Sequence, residues 1–231
     1  MIKIRKAGER GHTQFNWLDS RHSFSFGDYY DPSHMGFSVL RVINDDEVAP
    51  TRGFGTHPHR DMEILTYVTR GTVEHRDSIG THGLIPAGEV QIMSAGTGIQ
   101  HSEMNPSPSE PLRLLQIWVL PDKQGLKPRY EQRSLPRADN NGFAIVASPD
   151  GREGSLTIHQ DIVIDVAILK KAATVSRMLP TSRKAYVQII RGAVNLNDLP
   201  MSPGNGAQIT GEKQLLFTAD DDAELLLFDL P

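Results

Sequence analysis

Three short stretches of the 231-residue chain occur twice, in the same order. YVTRGTVEH at 67–75 resembles VQIIRGAVNL at 187–196 when Arg70-Gly71 is laid over Arg191-Gly192. AGEVQIM at 87–93 matches TGEKQLL at 210–216, and LLQIWVLP at 114–121 matches ELLLFDLP at 224–231. A repeat of this kind is one structural unit used twice. The chain is therefore expected to form an N-terminal domain over 1–125, a linker over 126–140 and a C-terminal domain over 141–231.

Apolar runs are short throughout, and turn residues separate them: IPAGE at 85–89, SAGTG at 94–98, NPSPSEP at 105–111 and LPMSPGNG at 199–206. Such runs predict strands at Phe37–Ile43, Met62–Val68, Gly71–His75, Glu89–Met93, Leu112–Val119, Phe143–Ala147, Leu156–Gln160, Ile162–Leu169, Ala185–Ile190, Ala193–Leu196, Gln214–Phe217 and Ala223–Phe228. Strands of this length and spacing favour an all-β barrel or sandwich. Helical turns are expected only near Leu126–Gln132 and Asp28–His34.

Composition removes several classes of function. With 24 basic and 28 acidic residues the net charge is -4, which argues against nucleic-acid binding driven by bulk charge. There is no cysteine, so disulfides are excluded and any metal must be held by nitrogen and oxygen ligands. No apolar run reaches the ~18 residues of a membrane helix, and the opening MIKIRKAGERGHTQ lacks the apolar core of a signal peptide. A cytoplasmic protein without a membrane partner is expected.

Two pairs of candidate ligands stand out. In HPHRDME, His57 and His59 are two residues apart, and in QHSEMN the spacing recurs with His101 and Glu103. Residues i and i+2 of a strand project to one side. Pro58 biases His57 towards extended backbone and removes a ladder donor, which places this segment at a strand start or sheet rim. Two such pairs facing each other across a barrel supply three imidazoles and a carboxylate, a ligand set suited to a divalent transition metal, iron in particular. Glu63 shares parity with His59; it either replaces Glu103 as a ligand or orients an imidazole from behind. The second copy keeps the turns but has Met178, Pro180 and Lys184 where the first has His57, His59 and Glu63, so metal chemistry is expected in the first copy alone. Gly96 and Gly98 supply a bend before the second pair. His12, His34, His75, His82 and His159 have no matching partners and are expected at the surface or in ordinary hydrogen bonds.

The stretches DSRHSFSFGDYYDP (19–32), FGTHPHRDMEILTYVTRGTVEHRDSIG (54–80) and PAGEVQIMSAGTGIQHSEMNPS (86–107) closely resemble the pirin family, a two-barrel branch of the cupin superfamily. The likeness spans the chain, more weakly in its second half. It implies a bicupin: two tandem antiparallel jelly-roll barrels packed face to face, in a monomer. Carried over residue by residue, it makes His57, His59, His101 and Glu103 the metal ligands, usually of iron(II), with nickel, copper, manganese, cobalt and zinc as alternatives. The general cupin pattern has a histidine where this chain has Gln91, and His101 takes its place, as in pirins. The activity implied is that of a quercetin 2,3-dioxygenase, which opens the central ring of a flavonol with O2 and releases carbon monoxide. Glu103 is then ligand and base, with Glu63 as the rival base. Phe24, Phe26, Phe37, Phe54 and Met93 are candidate walls of the flavonol slot, and His22 a candidate contact to a ring hydroxyl. The alternative implied by animal pirins is a metal-containing regulatory or protein-interaction module.

Overall fold

The computed structural model describes residues 1–135 and 142–231, nearly all of them in strands and turns. In chain order the strands are β1 (Ile2–Arg5), β2 (Gly11–Gln14), β3 (Leu18–His22), β4 (Leu40–Val48), β5 (Gly53–His59), β6 (Glu63–Arg70), β7 (Thr72–Asp77), β8 (His82–Pro86), β9 (Glu89–Ser94), β10 (Ile99–Met104) and β11 (Leu112–Val119). They continue as β12 (Arg129–Ser134), β13 (Phe143–Ser148), β14 (Leu156–Thr157), β15 (Val163–Leu169), β16 (Thr174–Met178), β17 (Lys184–Arg191), β18 (Val194–Leu196), β19 (Leu199–Met201), β20 (Gly206–Thr210), β21 (Gln214–Ala219) and β22 (Ala223–Leu230). Each predicted apolar run coincides at least partly with one of these strands.

Two compact units emerge. The N-terminal unit comprises Gly11–Leu135 and Leu156–Gln160. Its larger sheet has the order β12-β9-β6-β11-β4-β3-β2 and its smaller sheet the order β5-β10-β7-β8. The C-terminal unit comprises Met1–Arg10, residues 142–155 and Asp161–Pro231. There the larger sheet runs β1-β20-β17-β22-β15-β13 and the smaller one β16-β21-β18-β19. From β12 to β3 the larger N-terminal sheet corresponds in order to β1 to β13, and the two four-stranded sheets correspond likewise, so each unit is a cupin barrel: β9, β6, β11 and β4 are the counterparts of β20, β17, β22 and β15.

This correspondence refines the repeat. The matches at 67–75/187–196 and 114–121/224–231 fall on equivalent strands. The middle match does not: residues 87–93 lie largely on β9, whereas 210–216 run into β21, the counterpart of β10. Glycine-led turns followed by short strands look alike in sequence, and the similarity slips by one strand.

The units are also less contiguous than a single division at 126–140 implies. β1 pairs with β20 through Ile4↔Ala207 and belongs to the C-terminal unit, while residues 156–160 belong to the N-terminal one. Within the expected linker, Arg129–Ser134 is a strand on the edge of β9, with Tyr130 opposite Met93, in place of the expected helical turn. Good helix formers there yield to the hydrogen bonds that β9 offers. The end of that linker, 136–140, and residue 141 lie outside the described residues. Asp28–His34 forms turns, with an isolated bridge between Phe26 and Tyr29, and no helix.

The cores differ. In the C-terminal unit one continuous cluster takes in Val187, Ile189, Val194, Leu196, Leu215, Phe217, Leu225 and Leu227. The N-terminal unit has smaller clusters, one around Val68, Val73, Leu112 and Leu114 and another around Ile64, Met93 and Ile99. The polar side chains of β5, β7 and β10 occupy the ground that the longer cluster fills in the other unit.

Candidate metal centre

Three adjacent strands build the site. β10 lies between β5 and β7, and the register sets His57 opposite His101 and His101 opposite Asp77. One step along, Glu103 faces Phe54 on one side and His75 on the other. Pro58 sits on β5, the sheet's edge, where its missing N–H is tolerated; His57-Pro58-His59 closes that strand rather than opening it. Gly53 lets β5 approach β10, because a Cβ there would lie 2.3 Å from the Glu103 carbonyl oxygen. Gly96 has φ +46, and its Cβ would meet the Leu126 carbonyl oxygen at 1.9 Å, so its bend depends on glycine for close approach to a neighbouring loop.

The imidazoles of His57, His59 and His101 converge. Ring centroids are 4.8 Å apart for His57–His59, 4.5 Å for His57–His101 and 4.9 Å for His59–His101. One nitrogen from each lies within 4.8 Å of the others. His57 Nδ1–H donates to the Gly55 carbonyl at 2.7 Å, which fixes the tautomer and leaves Nε2 with its lone pair available. His101 is 1% exposed, and neither of its ring nitrogens has a hydrogen-bond partner. Burial first, then the charges of the His57 and His75 rings, holds His101 far below the ordinary histidine value, at about 3. Burial and the neighbouring His101 and His57 rings hold His59 at about 4. Both rings are therefore neutral near neutral pH, the state in which imidazole binds a metal.

Glu103 belongs to a second group with His75 and His101, again with one donor atom from each within 4.8 Å. Its carboxylate is 2% exposed and accepts three hydrogen bonds. Thr66 Oγ1 and Gln91 Nε2 donate to Oε1 at 2.6 and 2.8 Å, and Gln116 Nε2 donates to Oε2 at 2.5 Å. Gln91, which stands where the general cupin pattern has a histidine, thus orients the carboxylate. Glu63 lies elsewhere: Ser94 Oγ and the His159 backbone N–H donate to its Oε2 at 3.0 and 3.2 Å, and it bonds none of the three clustered imidazoles.

A cavity of about 290 Å³ opens onto His57, His59 and Glu103. Phe15, Trp17, Phe26, Phe54 and Trp118 supply aromatic walls, and Thr13, Ser20, His22, Asn44 and Asp46 a polar region. Of the expected walls Phe26 and Phe54 are present; Phe24, Phe37 and Met93 do not line it. His22 does, with its ring nitrogens 2.8 Å from Asn44 Oδ1 and 2.9 Å from Thr13 Oγ1. Trp118 packs edge-on against His59 at 4.9 Å; nothing in the apolar pattern singled it out.

His12, His34, His82 and His159 lie beside Asp19, Asp31, Glu74 and Glu63 as ordinary bonded histidines. His75 is different. It is fully buried within the site, bonded to Asp77. The sequence signal for it is His75-Arg76-Asp77, a third pair at the same two-residue spacing.

The Pirin family profile matches residues 3–119. The chain belongs to the pirin family. A second profile, described as the quercetinase C-terminal cupin domain, matches residues 145–230 of this pirin. It is 52% identical over 231 residues to a protein of Escherichia coli K12 named quercetin 2,3-dioxygenase, covering 100% of this chain and 99% of that one. A pirin-like protein of Caulobacter vibrioides is 40% identical, covering 99% of each chain. Among solved structures, the bacterial pirin YhhW from Escherichia coli, in complex with nickel(II), superposes with a TM-score of 0.96 at 52% identity, covering 100% of this chain and 99% of that one. A quercetin 2,3-dioxygenase from Acinetobacter baumannii shares the fold at a TM-score of 0.82 and 22% identity, over 98% of this chain and 85% of that one. The nickel-bound relative, the converging imidazoles and the unbonded buried nitrogens of His101 together support a divalent metal site in this pirin. No helix among the described residues is long and apolar enough to cross a membrane.

Proposed function

We propose that this pirin is a metal-dependent dioxygenase that opens the central ring of a flavonol such as quercetin with O2 and releases carbon monoxide. The observation that carries this reading is the convergence of the His57, His59 and His101 imidazoles, with the ordered Glu103 carboxylate grouped with the shared His101, beside an aromatic-walled cavity. His57, His59, His101 and Glu103 would hold the ion, with iron(II) favoured by the nitrogen and oxygen donor set and nickel, copper, manganese, cobalt or zinc accepted by the same ligands. A divalent ion held there supplies Lewis acidity, which lowers the pKa of a hydroxyl brought against it.

The chain's own side chains do the rest. Trp17, Phe54 and Trp118 offer flat apolar faces to a planar polyphenol, and the cavity's volume sits near the lower end of the ~300–1,000 Å³ range of small-molecule pockets. His22, Asn44 and Asp46 offer hydrogen bonds to ring hydroxyls. Glu103 takes the proton of the flavonol 3-hydroxyl; Thr66, Gln91 and Gln116 hold its carboxylate in one orientation for that transfer. Glu63, the rival base, is engaged by Ser94 and His159. The apolar walls exclude water from the reacting ring.

The test is anaerobic addition of quercetin to metal-quantified protein, followed by oxygen. A shifted flavonol absorption band, then consumption of the flavonol with stoichiometric carbon monoxide, is the expected result. Binding without turnover would transfer the evidence to a regulatory module.

A further inference from the structure

We propose that His75, pinned by Asp77, is a positioning residue: its Nδ1 accepts a hydrogen bond from the ring of His101 and fixes that ring for ligation. The inference rests on the reading of His101 as a metal ligand and adds a device that the ligand set does not contain.

On adjacent strands β7 and β10, His75, Asp77, His101 and Glu103 form a block of two by two, with His75 opposite Glu103 and Asp77 opposite His101. The side chains of His75 and Asp77 are both 0% exposed, and His75 Nε2 lies 3.1 Å from Asp77 Oδ2. An ionised carboxylate only accepts, so Nε2 carries the hydrogen and Nδ1 keeps its lone pair. That Nδ1 is buried with no partner. Asp77 is itself fixed, because its Oδ1 accepts the backbone N–H groups of Ile79 and Thr81 at 3.0 and 2.9 Å. Tyr130 packs on the His75 ring, with centroids 4.7 Å apart, while its hydroxyl donates to Gln132 at 2.8 Å.

His101 presents the complementary need. A neutral imidazole has one lone pair and one N–H. Ligation uses the lone pair and leaves a buried N–H to be matched, yet neither nitrogen of His101 has a partner. Glu103, the adjacent carboxylate, already accepts from Thr66, Gln91 and Gln116. His75 Nδ1 is an unpartnered acceptor on the ring packed beside His101. The two rings stand 5.4 Å apart between centroids, tilted by 53°. Rotation of His101 about its side-chain bonds to bring its N–H within ~3 Å of His75 Nδ1 satisfies both orphaned atoms at once. The order is then loop amides, Asp77, His75, His101 and ion: a carboxylate–imidazole support of the kind that orients metal-bound histidines, lengthened by one ring.

The test uses the full-length protein and cobalt(II), with affinity measured by chelator competition and the ligand field by d–d absorption. His75→Phe keeps an aromatic ring and removes the acceptor. Asp77→Asn keeps volume but presents N–H to His75 Nε2, moving the ring hydrogen to Nδ1. Both are expected to weaken cobalt(II) binding by ~10- to 100-fold and to shift the d–d bands. His75→Gln, whose amide oxygen accepts, is expected to recover part of the loss. If His75→Phe does not fold, Asp77→Asn decides. Folded variants with wild-type affinity and spectrum would overturn the proposal. So would X-ray absorption showing one ring ligand fewer in His75→Phe, because His75 would then be a ligand itself. Wild-type protein that binds no cobalt, or His101→Ala that binds it equally well, would instead overturn the metal-centre reading, and this inference with it.

Discussion

The small sheets of the two units share one frame and fill it in opposite ways. In the N-terminal unit the cross-strand pair on β10 and β7 is Glu103↔His75; on β21 and β18 of the C-terminal unit it is Phe217↔Leu196. Two residues back along the central strand, His101 has Leu215 as its counterpart. Leu196, Leu215 and Phe217 are all fully buried and belong to one apolar cluster. Fully burying each such side chain contributes roughly 1.5–3 kcal/mol. Burying an imidazole with unmatched nitrogens instead costs about 1–3 kcal/mol for each unsatisfied group. The apolar filling is what stability alone would choose. The polar filling is retained in one unit, at the site where three imidazoles meet a cavity.

The sharpest way to break this contrast is His101→Ala. It removes the ring shared by both ligand groups and is expected to abolish metal binding and lower flavonol turnover ~10³-fold or more. Metal analysis and oxygen uptake check it. Phe217→Ala probes the other unit. It is expected to destabilise the protein by about 3–5 kcal/mol in chemical denaturation. Retained metal binding in the folded fraction would separate the two roles.

Asp46 sharpens the contrast through pH. Burial raises its carboxyl to about 7; the charges of Asp45, Glu103 and Asp19 add to this, and the Ser20 hydroxyl bonded to it opposes it. The folded protein therefore holds the proton more tightly than the unfolded chain. The associated stability is fully present below about pH 4 and is lost as pH rises towards 7, with a ceiling on the order of 4 kcal/mol. Metal-free Asp46→Asn is expected to lack that slope, so thermal unfolding from pH 4 to 8 should show the wild type losing ground to the variant. The smallest effect concerns the cavity wall. Trp118→Leu is expected to raise the flavonol KM by about tenfold, with little change in kcat, because it removes ring contact and not a proton-transfer group.

Legibility in the sequence follows burial chemistry. The strands found from apolar runs, such as β6, β11, β17 and β22, carry the cores and have mostly buried residues. β5 and β10 carry no apolar period, since their inward positions are His57, His59, His101 and Glu103. The two-residue spacing of those polar residues located them instead. His75 escaped because a lone histidine reads as a bonded surface residue; the carboxylate two positions on was the available clue. Gln116, Thr66 and Asp46 had no local signal at all. Their roles depend on cross-strand register, which a single chain's pattern does not encode.

The most direct test is a crystal structure of protein reconstituted with iron(II) or nickel(II), recorded at the metal's absorption edge. The expected result is one anomalous peak in the N-terminal unit, bound by His57, His59, His101 and Glu103. A peak held by other residues, or none in protein exposed to excess metal, would contradict the proposed centre.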